Sequence, residues 1–465
     1  MNMINVRRLT VMTFLGAGML SGISAQVSPL QVDTLEETKI PDQWDLQSCI
    51  DYAKEQNITI RKNRITAVST QIDVKTAKAA MFPSLSFSTG QQVVNRPYQE
   101  TSSRVSGSEI ISSNSKTSYN GNYGLNASWT LYNGNKRLKT IQQEKLNNQV
   151  AELDVATSEN NIQESIAQVY IQILYAAESV KVNESTLQVS IAQRDRGQEL
   201  LNAGSIAKSD FAQLEAQVST DRYQLVTAQA TLEDYKLQLK QLLELDGENE
   251  MNIYLPALSD ENVLAPLPTK KDVYISALSL RPEIEASKLN VEASELGIGI
   301  AKSSYLPTIS LSAGIGTNHT SGSDFTFGEQ VKNGWNNSIG LSVSVPIFNN
   351  RQTKSAVQKA KLQYETSMLS LLDEQKTLYK TIEGLWLDAN SAQQRYAAAN
   401  EKLKSTQISY ELISEQFNLG MKNTVELLTE KNNLLQAQQE QLQAKYMAIL
   451  NTQLLKFYQG DQLAL

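Results

Sequence analysis

Two carboxylates stand where their charge would act on its surroundings. Asp210 and Glu426 each follow a glycine, Gly204 or Gly420, by six residues, in segments typical of a turn that leads into a helix. A carboxylate in the first turns of a helix complements the positive end of the helix dipole, and Asn423 with Glu426 has the spacing of a variant capping box. The same charge would attract cations if it faced a narrow passage. Both interpretations stay open at this point.

The residues most often used for metal binding and nucleophilic catalysis are scarce. The sequence contains one cysteine, Cys49, and one histidine, His319. A single cysteine forms no internal disulfide, and His319 has no cysteine or second histidine to complete a zinc ligand set. We expect Cys49 to be a small buried residue. The sequence therefore predicts no enzyme, no metal site and no cofactor.

Two segments alternate between apolar and small polar residues, as β-strands with one apolar face do. Residues 119–133 read YNGNYGLNASWTLYN, and residues 335–349 read WNNSIGLSVSVPIFN. Each is preceded by a shorter alternating segment, FPSLSFS from Phe82 or LPTISLS from Leu306. A predicted helix precedes each of these segments: the first begins at Asp45, a candidate N-cap, and runs towards Met81, and the second carries Ala277 and Leu289. The sequence thus predicts β-hairpins at 83–132 and 307–348, with polar loops at 97–118 and 318–334. Soluble sandwiches also alternate in this way, so the pattern alone favours a membrane barrel only weakly.

Each hairpin is followed by a helix far longer than those of ordinary globular domains. Residues 135–201 and 351–417 contain no proline and predict helices of 67 residues, roughly 100 Å long at the standard rise. The predicted turns and returning helices are a turn at 202–205 with a helix at 206–243, and a turn at 418–422 with a helix at 423–458. The first returning helix keeps the apolar spacing of a coiled-coil seam, which is broken only at Asp221.

The chain divides into two similar halves. Residues 119–243 align without a gap with residues 216 positions later, so that Asn133 pairs with Asn349 and Gly204 with Gly420. Such an alignment indicates an internal duplication. The predicted organisation is a signal peptide at 1–25, an extended lead at 26–43, a first repeat at 44–245, a linker at 246–272 and a second repeat at 273–465.

The N-terminal residues predict secretion. Arg7 and Arg8 precede an apolar run at 9–20, and the small residues Ser24 and Ala25 follow it, as in a cleaved signal peptide. The mature chain would carry 40 basic and 49 acidic residues, a net charge of −9, which argues against nucleic acid as a partner. No apolar run of about eighteen residues follows the signal, so any membrane span must be β.

Membrane strands in this chain would have to be shared with other chains. Two hairpins supply four strands, whereas closing a barrel takes about eight or more, and an open sheet edge cannot face lipid. Two chains would supply eight strands and three would supply twelve, and only the larger barrel leaves an appreciable lumen. We therefore expect a homotrimer.

The order of these motifs resembles the TolC-type outer-membrane efflux ducts, over nearly all of the mature chain. Besides the strand entries, the resemblance rests on these segments: WDLQSCIDYAKEQNITIR (44–61), ALSLRPEIEASKLNVEASE (277–295), LYNGNKR, IFNNRQT, LLNAGSIAKSDFAQLEAQ and QFNLGMKNTVELLTEKN. The implied fold is an α+β membrane protein, with a twelve-stranded transmembrane β-barrel shared by a homotrimer and a long α-helical coiled-coil periplasmic tunnel. The implied location is the cell outer membrane. The implied partners are outer-membrane lipid, a periplasmic adaptor protein and, through it, an inner-membrane transporter.

The resemblance also assigns candidate site residues. The family aperture often carries two acids, six and nine residues after the turn glycine of the second half. Here those positions hold Glu426 and Thr429, so one acid is absent, and Asp210 could add a charge from the first half. The turn residues expected to dock on the adaptor are Asn202, Ala203, Gly204, Ser205, Asn418, Leu419 and Gly420.

Several aromatic side chains near the strand ends have two interpretations. They would form the aromatic girdle of a membrane barrel, or they would be ordinary strand residues. The candidates are Tyr123, Trp129, Tyr132, Trp335 and Phe348.

A second class of function competes with the channel. The long helices would also suit a secreted periplasmic coiled-coil adaptor or interaction protein without a membrane barrel. Such an adaptor would need one helical hairpin flanked by soluble barrel-like domains. The duplicated strands with apolar faces favour the channel.

Overall fold

The computed structural model describes residues 41–98, 102–106, 109–113, 116–246, 251–256, 263–321, 323 and 325–463. The predicted signal peptide and most of the predicted lead therefore lie outside the described residues. Gln43–Leu465 form one compact unit. None of the helices in these described segments is both long enough and apolar enough to cross a membrane.

The elements follow a similar order in the two halves of the chain. The first half contains α1 (Leu46–Gln56), α2 (Ile58–Ala79), β1 (Ser84–Asn95), β2 (Ser102–Ser106), β3 (Glu109–Ser113), β4 (Thr117–Asn133), α3 (Lys136–Asn202) and α4 (Lys208–Leu242). The second half contains α5 (Lys270–Leu280), α6 (Pro282–Ser303), β5 (Thr308–Thr320), α7 (Phe327–Asn333), β6 (Asn336–Ser344), α8 (Gln352–Asn418) and α9 (Thr424–Gln459). The long helices α3 and α8 each have 67 residues.

The helix before each hairpin is interrupted, whereas the sequence predicted one continuous helix in each case. Asp45 caps α1 as predicted, by accepting a hydrogen bond from Ser48 N at 2.7 Å. The continuation towards Met81 was wrong, because Asn57 adopts an extended backbone and its side chain accepts from Thr59 N, giving α2 its own cap. In the second half Pro282 starts α6, at a position where its missing N–H costs no helical hydrogen bond.

Four strands form one antiparallel sheet in the order β1-β4-β5-β6. The two strand entries, which begin β1 and β5, therefore do not pair with each other, since β4 lies between them. A register shift between Thr130 and Tyr132 places Tyr132 opposite Ile309, while Trp129 stands opposite Leu311. Opposed residues share a face, so this bulge brings Tyr132 to the face that carries Trp129.

Three sequence expectations for the hairpins need correction. The region 97–118, expected to be a loop, contains the antiparallel pair β2–β3, since β-branched residues such as Val105 and Ile110 favour extended backbone. The second loop, 318–334, contains α7, which Thr326 and Glu329 cap reciprocally. The last strand, β6, ends at Ser344 instead of reaching 348, because Pro346 has no N–H for a sheet hydrogen bond.

The short helices stack end to end along the long ones. In the first half α2 and α4 both pack against α3. Their ends meet where the Asn57 side chain donates to Leu242 O at 3.0 Å and Glu244 accepts from Ile58 N at 3.2 Å. In the second half the guanidinium of Arg281, at the junction of α5 and α6, lies 4.1 Å from the ring of Tyr458 near the end of α9.

The buried core lies among the helices and away from the strands. One cluster joins α1, the middle of α3, the end of α4 and the second half of α9, and another joins α5, α6, α8 and the end of α9. The apolar side chains of the sheet are largely exposed in the single chain, for example Leu85 at 70% and Ile339 at 84%. The strands thus carry an apolar face that no other described part of the chain buries.

Candidate functional site

The two helical turns share one backbone geometry. Gly204 follows α3 with φ +74°, and Gly420 follows α8 with φ +75°. Ser205 N donates to Leu200 O at 2.8 Å and Met421 N donates to Gln416 O at 2.8 Å, the long hydrogen bond of a Schellman motif. No heavy atom lies within 4 Å of a Cβ placed on either glycine. Backbone conformation, and not space, is therefore what requires glycine at both turns.

The turn residues are exposed, but the two turns differ in chemistry. The seven residues predicted to form the docking turns all lie on the surface. The second turn is the more apolar, since Leu419 is 74% exposed and the adjacent Met421 is 66% exposed, whereas Ala203 and Ser205 occupy the matching positions of the first. The second turn therefore offers the larger apolar contact.

Glu426 takes part in the capping box that its spacing predicted. Its backbone N–H donates to Asn423 Oδ1 at 2.9 Å, and its carboxylate accepts from Asn423 N at 3.2 Å. Lys422 Nζ also donates to Glu426 Oε1 at 2.5 Å. The hydrogen bond from Lys422, followed by that from Asn423, holds the pKa of Glu426 below its ordinary value. The capping role and a counter-charge are thus both present.

The other two aperture candidates have simpler surroundings. The Asp210 carboxylate accepts a hydrogen bond from Ala207 N at 3.3 Å. Ala207 has no side-chain oxygen that could accept a hydrogen bond from Asp210 N, so the capping box is incomplete. The Thr429 hydroxyl donates to Val425 O on its own helix at 2.8 Å. In the described part of the chain no hydrogen bond or ion pair joins Asp210 to Glu426. The charged ring needs further chains to form and stays a prediction.

A polar cluster that the sequence did not reveal joins the two helical hairpins. Lys431 on α9 donates to both Ser190 on α3 and Asp221 on α4, and the Ser190 hydroxyl donates to Asp221. All three side chains are buried, with Lys431 and Asp221 only 3% and 1% exposed. Desolvation lowers the pKa of Lys431. The only sequence signal was Asp221 as the break in the apolar seam of its helix.

The aromatic candidates do not form one set in the single chain. Trp129 donates from Nε1 to Met81 O at 2.8 Å, and Tyr123 stacks on the His319 ring with centroids 5.9 Å apart. Trp335 lies just before β6, and Phe348 lies beyond its end, where it is 85% exposed. Interpretation of Phe348 as a strand residue was therefore wrong, for the reason given above for Pro346. The girdle itself stays a prediction.

The cysteine and the histidine lie in packed surroundings. Cys49 is fully buried in the helical core, as predicted, and burial raises the pKa of its thiol to about 12. His319 packs among Tyr119, Tyr123 and Phe327. Among the residues that the structure describes, no three His, Cys, Asp or Glu side chains are grouped as metal ligands.

Comparison with known sequences identifies relatives of the chain. The family model described as "Outer membrane efflux protein" matches residues 49–244 and 273–460. The outer membrane efflux protein BepC of Brucella suis biovar 1 (strain 1330) is 24% identical over 294 residues, which cover 63% of this chain and 61% of BepC. The outer membrane protein TolC of Escherichia coli (strain K12) is 23% identical over 311 residues, 65% of this chain and 62% of TolC. The alignments thus span about three fifths of these relatives' lengths.

Comparison with solved structures identifies the same fold. The chain superposes on CusC with a TM-score of 0.76 and 18% identity, over 90% of this chain and 92% of CusC. This likeness confirms the predicted fold class, in which long helices are combined with a four-stranded sheet. The sequence match confirms the predicted location in the cell outer membrane. Since the family model covers most of its length, the chain belongs to the outer membrane efflux protein family.

Proposed function

We propose that the protein is the outer-membrane channel of a tripartite export system, without catalytic activity of its own. It would carry substrates from an inner-membrane transporter and a periplasmic adaptor across the periplasm and outer membrane. The observation that carries this proposal is the sheet of four amphipathic strands set on two 67-residue helices that end in matching exposed turns. Family membership supports it independently.

The proposed channel is a homotrimer. The sheet order leaves β1 and β6 at its two ends, and their backbones need partners if the sheet lies in lipid. Both strands are almost wholly exposed in the single chain, which suits pairing with a neighbouring copy. In such a barrel the face that carries Trp129, Tyr123 and Tyr132 would meet lipid.

The proposed docking sites and aperture lie at the helical turns. The left-handed glycine turns present Leu419 and Met421 at the surface, where an adaptor would bury them. Asp210 and Glu426 lie in the helices that leave these turns, so a trimer would gather three copies of each around its axis. A ring of carboxylates at a constriction favours the entry of cations.

Reconstitution tests the channel directly. The purified full-length protein should open long-lived conducting pores in planar lipid bilayers, and its gene should restore resistance to an exported dye in a strain that lacks it. The control is the same preparation after heating has unfolded its sheet, which should form no pores. Absence of pores from native trimer preparations would overturn the proposal.

Fractionation separates the channel from the adaptor class. A channel with a shared barrel should stay in the sarkosyl-insoluble envelope fraction, whereas a periplasmic adaptor without a barrel should be released with the soluble periplasm. The described sheet favours the first outcome, since its apolar side chains are exposed without a membrane or a partner.

A further inference from the structure

The short helix α7 is attached to the end of β5 that lies away from the long helices. The Thr317 hydroxyl donates to Val331 O at 2.7 Å, and Thr320 N donates to Gln330 Oε1 at 2.9 Å. The rings of Phe327 and His319 pack edge to face, with centroids 5.0 Å apart. Because an isolated helix of one or two turns is not stable in water, these contacts with the strand determine where α7 lies.

The β5 side chains that contact α7 belong to the apolar face of the sheet. Thr317 stands opposite Tyr123 and His319 stands opposite Gly121, and opposed residues share a face. The register of β4 and β5 continues without a shift from there to Trp129, so the same face carries that side chain. The helix α7 therefore lies on the side of the sheet that would meet lipid.

The position of α7 along the strand matches the outer edge of a membrane. His319 follows Ile309, which stands opposite Tyr132 at the other end of the apolar face, by ten residues. At a rise of about 3.3 Å per residue and a tilt of about 40°, ten residues of strand span about 25 Å of membrane. The apolar band of outer-membrane barrels has this height. Acyl chains would thus give way to headgroups at the level of α7.

The exposed side chains on and beside α7 suit that level. Phe325, Phe327 and Trp335 are 58%, 44% and 57% exposed, and the charged residues Glu329 and Lys332 are exposed on the helix itself. Aromatic rings beside charged groups are typical of the membrane–water interface, where the rings lie at the headgroups and a lysine stem reaches outwards. Such a group of exposed rings indicates contact with another surface.

We propose that α7 is an interfacial helix, which binds lipid in the headgroup layer of the outer leaflet and holds this part of the second loop outside the barrel. The inference rests on the proposed channel function, because only a barrel assigns one face of the sheet to lipid and the other to a lumen. Its consequence for transport is that α7 does not narrow the outer mouth of the duct.

The first test measures the depth of α7 in lipid vesicles with nitroxide labels. Gly328→Cys and Lys332→Cys place labels four residues apart on the exposed side of the helix, and a Cβ at Gly328 meets no described atom within 4 Å. The matched controls are Ile339→Cys and Ser338→Cys, adjacent residues of β6 on opposite faces of the sheet. Wild type, whose Cys49 is buried, gives the background labelling.

Collision rates with two relaxing agents report the surroundings of each label. Oxygen concentrates among acyl chains, whereas a nickel chelate stays in water. The ratio of oxygen to nickel collisions should be highest at Ile339 and lowest at Ser338, with Gly328 and Lys332 between them. A ratio at both helix sites equal to that at Ser338 would place α7 in water and overturn the inference. Few collisions with either agent would place α7 against a second copy and would also overturn it.

The second test asks whether α7 enters the lumen. A long polyethylene glycol chain attached to Gly328→Cys should leave the conductance in planar bilayers unchanged, because it would project outside the barrel. The same chain on Ser338→Cys should reduce conductance by roughly half or more, since it would occupy the pore. An equal reduction at the two sites would show that α7 lies in the lumen and would overturn the inference.

The control sites separate failure of this inference from failure of the channel. If labels at Ile339 and Ser338 give the same collision ratio, the sheet has no lipid face, and both proposals are wrong. If those two sites differ as expected while Gly328 and Lys332 match Ser338, the barrel stands and only the placement of α7 is wrong.

Discussion

Glu426 is paired with a cation from the turn that precedes its helix, and this changes what its charge can do in a channel. Lys422 donates to one carboxylate oxygen while Asn423 N donates to the other, so each copy brings a nearly neutral pair to the aperture. The positive partner would weaken the attraction that the carboxylate exerts on a passing cation. Selectivity at this position therefore depends on two side chains and not on one.

Substitution of each partner should shift selectivity in opposite directions. Glu426→Gln removes the negative charge at constant size, so the reversal potential in a salt gradient should move away from cation selectivity, with weaker block by multivalent cations. Lys422→Met should increase cation selectivity, and Thr429→Asp should do the same by adding a carboxylate. Arg395→Met, on the long helix away from the turns, serves as the control for loss of a cation. No change in Glu426→Gln would leave that residue with its capping role alone.

The pH dependence of selectivity reports the surroundings of the same carboxylate. Its pKa is lowered by Lys422 and Asn423 from an ordinary value of 4.5, so its charge and its cap are complete above pH 4.5 and are lost as pH falls through the lower folded value. Cation selectivity should therefore be constant from pH 7 to pH 5 and decline only below pH 4.5. A midpoint above 4.5 would mean that crowding of the three carboxylates exceeds the effect of Lys422.

The hydrogen-bond partners of single residues were predictable from the sequence where both partners lie close together in the chain. The Asn423–Glu426 box and the Asp45 cap follow from residue type and spacing, because the first turn of a helix brings a polar cap residue close to the residue three positions later. Lys431 gave no such signal, since its partners are 210 and 241 residues away and a lysine on an amphipathic helix is usually solvated. Long-range polar contacts require the packed structure.

At the scale of elements, the glycine turns make a sharp test of docking. Gly204→Val or Gly420→Val forces a β-branched residue to positive φ and should strain each turn by about 1–3 kcal/mol. Trimer assembly should survive, because a Cβ at either position would meet no other atom within 4 Å, while dye export should fall. The control is Gly384→Val, a helical glycine of α8 with equally open surroundings and ordinary φ. Normal export by a double Gly204→Val, Gly420→Val variant would count against docking at the turns.

The junction of α2 and α4 gives a second prediction at this scale. Asn57→Ala removes the cap of α2 and the hydrogen bond to Leu242 O, so unfolding free energy should fall by about 1–2 kcal/mol. Asn57→Ser should keep a cap acceptor but lose the donated bond, so its free energy of unfolding in chemical denaturation should lie between those of wild type and Asn57→Ala. Equal stability of all three would show that the junction is held by apolar packing instead.

Element boundaries were predictable where the backbone itself imposes them, and less so elsewhere. The long helices end at residues 202 and 418, one residue from expectation, because glycine turns are visible in sequence. The interruption at Asn57 was missed because asparagine is also tolerated within helices, and its capping role depends on Leu242 being nearby. β2 and β3 were missed because serine-rich strands resemble loops.

At the scale of the whole molecule, the exposed faces predict assembly. The detergent-solubilised protein should have the mass of a trimer by native mass spectrometry, because β1 and β6 need partners and the apolar sheet face needs cover. Dilution in mild detergent should not release folded monomers. A stable folded monomer would contradict the shared sheet. The sequence predicted this state only indirectly, since the count of strands says that partners are needed but not where they touch.

Both long helices begin at a corner where two successive residues have left-handed backbone, so the two halves of the chain share this feature. The first corner uses Gly134 and Asn135, with φ of 68° and 62°, and the second uses Asn350 and Arg351, with φ of 50° and 68°. Arginine tolerates this conformation poorly, whereas asparagine adopts it more readily and glycine freely.

One half of the chain can therefore serve as a template for thermostabilising the other. Arg351→Asn, copied from the position 216 residues earlier, should raise the free energy of unfolding by up to about 1 kcal/mol, because the short polar side chain of asparagine can hydrogen-bond locally in the left-handed conformation. Arg351→Ala has no such side chain and should gain little. Thermal melting of the trimer would measure both. Wherever two positions 216 residues apart have the same backbone conformation but different residues, the residue of one half is a candidate substitution for the other half.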